Sequence, residues 1–210
     1  MSARRRLFAV IPAAGSSRRM GQPKLLLQLG GKTVLARLLE ALDRPGVTAR
    51  IVVVRPDDEP LRREAASAGA VVVQPAVAPP EMRQSVEEAL REIRQRYAPD
   101  ESDGWMLVPG DHPVLDREVI DLLLERWYAG DHRILVPKYG TRRGHPTFFR
   151  WDLAKDVPNL DATCGLNWLM KQHASEVTEF EVASAAVTTD LDTPEDFEAL
   201  RKGWPENESS

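Results

Sequence analysis

Residues 10–24 read V-I-P-A-A-G-S-S-R-R-M-G-Q-P-K, an apolar run that breaks into small residues and then into cations. Residues 7–13 (L-F-A-V-I-P-A) have the character of a buried strand, and in an open α/β sheet ligands bind beyond the carboxyl ends of the strands. The small residues that follow let a backbone approach a ligand closely, and Arg19 and Lys24 bring positive charge suited to phosphate. Two common phosphate-loop motifs are excluded. No G-x-G occurs anywhere in the chain, and the triplet Gly31-Lys32-Thr33 has Leu26 where a P-loop needs glycine. On residue pattern alone the stretch fits either an anion-binding loop, with the backbone N–H groups of Ala13, Ala14, Gly15, Ser16 and Ser17 as donors, or a surface turn with solvated arginines.

Working outward, the 210 residues suit one domain over 1–203 followed by a mobile tail over 204–210. With 42% hydrophobic residues the chain has material for a substantial core, and Trp105 and Trp168 are expected inside it. The balance of 28 basic and 32 acidic side chains gives a net charge of −4, which argues against a general nucleic-acid binder. Cys164 is the single cysteine, so no intramolecular disulfide forms, and a reducing, cytoplasmic compartment is expected. The arginines at 4–6 and the apolar run at 7–11 imitate a leader, but the run is shorter than the ~7–15 apolar residues of one. No stretch approaches the ~20 apolar residues of a membrane-spanning helix, so a soluble protein without a membrane partner is expected.

Helical spacing of apolar residues at 34, 35, 38, 39 and 42 is followed by a strand at 50–54, a helix at 58–68 and a strand at 70–73. An amphipathic helix over 85–97, a strand at 105–109, a helix at 117–128 N-capped by Asp116 and a strand at 133–137 continue the alternation. Residues 138–150 interrupt it as a loop or hairpin insertion. A helix near 164–173, strands near 177–182 and 185–189, and a helix from Pro194 complete the chain. Alternating strands and helices with short connections predict an α/β fold with a mostly parallel central sheet and helices on both faces.

Two further clusters fall at strand ends. In V-P-G-D-H-P (108–113), Asp111 directly follows a strand and suits Mg²⁺, a hard cation held by one or two carboxylates plus phosphate oxygens; it equally suits a turn or an N-cap. In T-T-D-L-D-T-P-E-D (188–196), strand alternation would turn Asp190 and Asp192 to the same side, and either could complete a metal site with Asp111. Asp192 or Thr193 also suits the N-cap of the last helix.

Taken in order, these clusters resemble the MobA-like nucleotidyltransferases, particularly the molybdenum cofactor cytidylyltransferase branch. The family's A-A-G-x-S-x-R-M-G-x-x-K-L-L is matched by Ala13 to Leu26, its G-D-x-P by Gly110 to Pro113, its G-x-P-x-x-F by Gly144 to Phe149, and its D-I-D-T-P-E-D by Asp190 to Asp196. The resemblance implies a Rossmann-like nucleotidyltransferase fold and transfer of a nucleoside monophosphate from an NTP to a phosphorylated small molecule. It implies a nucleotide held by Pro12 and Ala13–Ser17, with Met82, Ser85 and Gly110 around it. Arg19 and Lys24 would contact the triphosphate, Mg²⁺ would lie at Asp111 with Asp192 or Asp190, and Arg143, Gly144, His145 and Pro146 would face the acceptor. P-A-A-G points to the cytidylyl branch, and so to CTP, with molybdopterin as one acceptor and a cofactor-receiving protein as a possible partner. Guanylyl transfer, a sugar- or alditol-phosphate acceptor, and a non-catalytic nucleotide-binding role are the alternatives.

The sequence departs from the cytidylyl branch twice. Its G-M-S-S-S-L segment corresponds to Glu81-Met82-Arg83-Gln84-Ser85-Val86 here, and of its G-D-x-G-A-R only Gly165 is in place, with Thr163 and Asn167 at the acidic and arginine positions.

Overall fold

In the computed structural model, which describes residues 5–15, 20–110, 113, 116–161 and 165–204, the first strand decides the layering. In β1 (Leu7–Pro12) every residue is buried. Leu7, Ala9 and Ile11 enter one core and Phe8 and Val10 the other, so successive side chains feed opposite faces of the sheet. A continuous apolar run of this kind is what a central strand covered on both faces requires.

A hairpin of β2 (Gln28–Leu29) and β3 (Lys32–Thr33) follows, turned by Gly30 and Gly31 at φ 55° and 78°. Two successive positive φ values favour glycine, so the Gly-Lys-Thr triplet serves a tight turn. Thr33 then caps α1 (Val34–Ala41), accepting from the Ala36 amide at 3.0 Å. The chain continues through β4 (Ala49–Val53), α2 (Glu59–Ser67), β5 (Val71–Val73), α3 (Met82–Tyr97), β6 (Gly104–Leu107) and α4 (Arg117–Ala129). It ends with β7 (Ile134–Tyr139), β8 (Arg142–Arg143), β9 (Thr147–Arg150), α5 (Asn167–Gln172), β10 (Val177–Glu181) and α6 (Pro194–Arg201).

Among the described residues the main sheet runs β10-β7-β9-β6-β1-β4-β5, with β8 paired to β7. β1 is parallel to β4 and β6, and β4 to β5. β9 is antiparallel to both its neighbours, β6 and β7. The fold is therefore the expected mostly parallel sheet with helices on both faces. α1, α2 and α4 pack on the face of Leu7, Ala9 and Ile11, and α3 and α5 on the face of Phe8 and Val10.

Three expectations change. The segment assigned to a loop or hairpin insertion supplies β9, whose Phe148 stacks on Trp127 in one core and whose Phe149 stacks on Trp105 in the other, with ring centroids 5.5 and 4.4 Å apart. The expected strand at 185–189 is a 3₁₀ turn, Ala185–Thr188. Trp168 is 42% exposed, because α5 buries only Leu169. Apart from these three, Trp204 lies under the Arg37 guanidinium at 3.9 Å, and residues 205–210 of the expected tail lie outside the described residues.

The amino-terminal edge of the sheet is closed by a structural ion pair. Buried Asp103 accepts from the Arg6 amide at 2.7 Å and pairs with its guanidinium at 2.7 Å.

Candidate active site

Where β1 ends, Val108 donates to Val10 O at 2.9 Å, and pairing of β1 with β6 ends at Val10↔Leu107. Residues on this side of β1 alternate, so the next bond to β6 would need an amide hydrogen at position 12, and Pro12 has none. The two strands part there. On the other side Ala13 N–H donates to Val53 O at 2.8 Å. The Ala13 amide thus belongs to the sheet ladder, and donors for an anion begin further along the loop.

A cavity of about 690 Å³ opens at this crevice. Pro12, Ala13, Ala14 and Gly15 form one wall. Lys24, Met82, Ser85 and Gly110, each singled out from sequence, line the same space. A β-carbon on Gly15 would meet nothing within 4 Å, so that face is open to the cavity, whereas one on Gly110 would stand 3.1 Å from Leu25 Cδ1. Gly110 is therefore small for packing reasons as well. Ser16, Ser17, Arg19 and Asp111 lie outside the described residues. Met82 opens α3 and Ser85, 3% exposed, lies one turn in, so the amino-terminal end of this long helix borders the cavity with its partial positive charge.

Lys24 is fixed by residues from the far end of the chain. Its Nζ donates to Leu191 O at 3.0 Å and pairs with Asp192 Oδ1 at 3.2 Å. Asp192 N–H in turn donates to Asp196 Oδ2 at 2.9 Å, within the capping box that Thr193 and Asp196 make at the start of α6. Asp190 pairs with Arg142 at 3.3 Å. The two aspartates thus meet cations of different segments, Arg142 in β8 and Lys24 before β2. The preceding residues form a 3₁₀ turn, so strand alternation does not govern them.

Arg143, Gly144, His145 and Pro146 are not among the residues lining the cavity. Arg143 pairs with Glu179 at 2.8 Å and holds that carboxyl below its ordinary range, with Lys138 adding to the effect. A β-carbon on Gly144 would lie 2.1 Å from Val187 O, and the His145 amide donates to that same oxygen at 2.8 Å. This pair packs the hairpin against the segment that leads to Asp190 and Asp192. The structure therefore brings the nucleotide-motif residues together and sets the four acceptor-motif residues on the β7–β8 flank.

Sequence reasoning missed Arg55 and Asp58, which also line the cavity. Arg55 follows β4 at the same carboxyl-terminal edge, but only the sheet order, which sets β4 beside β1, brings it to the cavity. Arg83, one departure from the family pattern, is 8% exposed and donates to Leu160 O at 2.7 Å, tying the start of α3 to the segment before α5. Thr163 falls outside the described residues, and Asn167 opens α5.

Among the described residues no group of three or more histidine, cysteine, aspartate or glutamate side chains is placed to hold a metal ion. The donor chemistry nevertheless fits Mg²⁺, which takes one or two carboxylates and fills its remaining positions with phosphate oxygens and water. Asp192 supplies one such carboxylate beside the cavity's lysine.

A doubly faced, mostly parallel sheet with a small-residue crevice and a fixed lysine at its carboxyl edge defines a protein of the nucleotidyltransferase class. The chain belongs to the MobA-like NTP transferase domain family, whose sequence profile matches residues 9–177. It is 30% identical over 209 residues to the molybdenum cofactor guanylyltransferase of Rhizobium meliloti (strain 1021), covering 94% of this chain and 91% of that protein. It is 40% identical over 121 residues to the 2-C-methyl-D-erythritol 4-phosphate cytidylyltransferase of Pseudomonas fluorescens (strain SBW25), covering 56% of this chain. The match spans about half the length of that relative, 50%. A nucleotidyl transferase from Methanothermobacter thermautotroptrophicus superposes with a TM-score of 0.75 at 21% identity, covering 94% of this chain and 96% of the other, which bears on the fold alone. Rv0371C of Mycobacterium tuberculosis, whose structure is a complex with manganese, superposes at 0.67 with 25% identity, covering 93% and 98%. No helix among the described residues is long and apolar enough to cross a membrane.

Proposed function

We propose that the protein is an Mg²⁺-dependent cytidylyltransferase that moves CMP from CTP to a phosphorylated small-molecule acceptor and releases pyrophosphate. The observation that carries this reading is the convergence of the motif residues Pro12–Gly15, Lys24, Met82, Ser85 and Gly110 on one cavity. A phosphate oxygen of the acceptor attacks the α-phosphorus of CTP, forming a new P–O bond. The bond from the α-phosphorus to its bridging oxygen breaks, and pyrophosphate leaves with the electron pair. The acceptor phosphate is already ionised near neutral pH, so no general base and no covalent enzyme intermediate are required.

This chain's residues contribute alignment and charge. The loop beyond Ala13 holds the nucleotide, and Lys24 and Arg19 offset the charge of the triphosphate as it shifts to the leaving group. Asp111 and Asp192 would hold Mg²⁺, which when bound neutralises phosphate charge and polarises the α-phosphoryl group. The manganese complex of Rv0371C supports a divalent ion in this fold family. Arg142, Arg143 and His145, on the β7–β8 flank, receive the anionic acceptor, either molybdopterin or a sugar- or alditol-phosphate.

A second reading, guanylyl transfer, is favoured by the Rhizobium relative. A pyrophosphate-release screen that crosses CTP, GTP, ATP and UTP with phosphorylated acceptors in Mg²⁺ separates the two. Turnover is expected with CTP, and turnover with GTP alone would replace the first reading by the second. Release with no pair would leave a nucleotide-binding protein. In Asp111→Asn the Mg²⁺ requirement should rise, and an unchanged metal titration would remove that residue from the site.

A further inference from the structure

Two charged side chains in the cavity wall have no part in the chemistry above. Arg55 follows β4, and Asp58 caps α2, accepting from the Leu61 amide at 3.2 Å through Oδ1. Their surroundings hold them in one arrangement. Arg55 Nε lies 3.3 Å from Asp57 Oδ1, and Nη2 lies 3.5 Å from Asp58 Oδ2. The Arg55 and Pro56 carbonyls are each pinned by Gln74 Nε2 at 3.0 Å. The Asp58 side chain is 12% exposed and that of Arg55 29%, so the pair is largely withdrawn from bulk water. The side-on edge of the guanidinium, Nε with one hydrogen of Nη2, faces Asp57 and Asp58. Its end-on edge, Nη1 with the other hydrogen of Nη2, finds no partner among the described residues.

Topology says which part of a nucleotide would meet this pair. Lys24 reaches Asp192, and the neighbouring Asp190 reaches Arg142 on β8, so the phosphate-binding lysine faces the β7–β8 flank. β4 lies on the other side of β1. A nucleoside triphosphate with its phosphates at Lys24 extends its base toward Arg55.

We propose that Arg55 and Asp58 are specificity-determining residues that read the hydrogen-bonding edge of the base, a reading that rests on the nucleotidyltransferase function proposed above. The guanidinium only donates and the carboxylate only accepts. In the order Nη1, Nη2, Oδ2 the pair presents donor, donor, acceptor. Cytosine presents O2, N3 and the N4 amine, which is acceptor, acceptor, donor. Guanine offers the same order as N7, O6 and N1–H. Uracil has an N–H between its two carbonyls, and adenine has no two adjacent acceptors on an edge. The pair therefore admits cytosine and guanine and disfavours uracil and adenine. It removes half of the four bases whatever the phosphate loop does.

The test measures equilibrium binding of CTP, GTP, UTP and ATP with Mg²⁺ to the wild type, Arg55→Ala and Arg55→Lys, with thermal unfolding as the check on folding. The wild type is expected to prefer CTP or GTP over UTP and ATP. Arg55→Ala should lower the CTP:UTP affinity ratio on the order of ten-fold, the discrimination a bidentate arginine contact supplies. Arg55→Lys keeps the charge but not the fork, so it should also lower the ratio. A variant that weakens all four nucleotides equally would make Arg55 a simple electrostatic contact and overturn the proposal. So would a variant that keeps the wild-type ratio while CTP still binds. A wild type that binds none of the four overturns both this proposal and the nucleotidyltransferase reading.

Discussion

Gly144 has no room for a methyl group. Its β-carbon would stand 2.1 Å from Val187 O, a backbone atom that cannot swing aside. Gly144→Ala is expected to cost about 1–3 kcal/mol, the usual penalty for overpacking, read as a lower urea midpoint. Because the same segment leads to Asp190 and Asp192, activity should fall with it. Lys24→Ala probes the opposite kind of residue. With its partner only partly exposed, the ion pair should cost about 1 kcal/mol or less of stability. Turnover should drop about 100-fold or more, as when a preorganised charge-stabilising group is removed. Unaltered turnover in a folded Lys24→Ala protein would end its proposed role. The site was legible where a motif marks a strand end, as with Pro12 to Gly15 and Lys24. Arg55 and Asp58 were not, because their placement in the cavity depends on β4 lying beside β1, a fact of sheet order that no local pattern carries.

At the scale of elements, His132 links the end of α4 to β10, with Nδ1 3.3 Å from Thr178 Oγ1. Burial, then the nearby Arg126 charge and to a lesser degree Arg5, hold its pKa below the ordinary 6.5, against a hydrogen bond to the Arg126 backbone and a smaller pull from Asp131. On acidification the unfolded chain takes up this proton before the folded one. His132 thus favours folding above about pH 6.5, and that contribution is lost as the pH falls through the lowered folded value. Urea unfolding at neutral and mildly acidic pH should show a smaller acid-induced loss of stability in His132→Gln than in wild type. Elements whose signals are local were readable. Asp116 caps α4 and Thr193 caps α6, and apolar spacing placed α1 and α3. β9 was hidden, since four residues flanked by Gly144 and Pro146 look like a loop. Its strand state comes from the slot between β6 and β7, both of which offer it hydrogen-bond partners. The 3₁₀ turn at Ala185–Thr188 reads as a strand for the converse reason, an apolar run that pairs with no strand among the described residues.

For the whole molecule, binding should appear as stability. If CTP with Mg²⁺ occupies the cavity, unfolding is opposed by about 2.7 kcal/mol at a ligand concentration 100 times Kd. Thermal scans with the four nucleotides should therefore rank them in the order of their affinities, with ATP and UTP shifting the midpoint least. The alternation of strands and helices made the fold class legible from sequence. The order of strands in the sheet was not, because it is settled by crossovers between segments distant in the chain. One of those distant meetings bears on biosynthesis. Lys24 and Asp192 are 168 positions apart, so the lysine emerges early in translation and its carboxylate partner near the end of the chain. A nascent or prematurely terminated product ending before residue 192 carries the whole of residues 12–24 but not this carboxylate. On the role proposed for Asp192, the reaction would be withheld from incomplete copies of the chain.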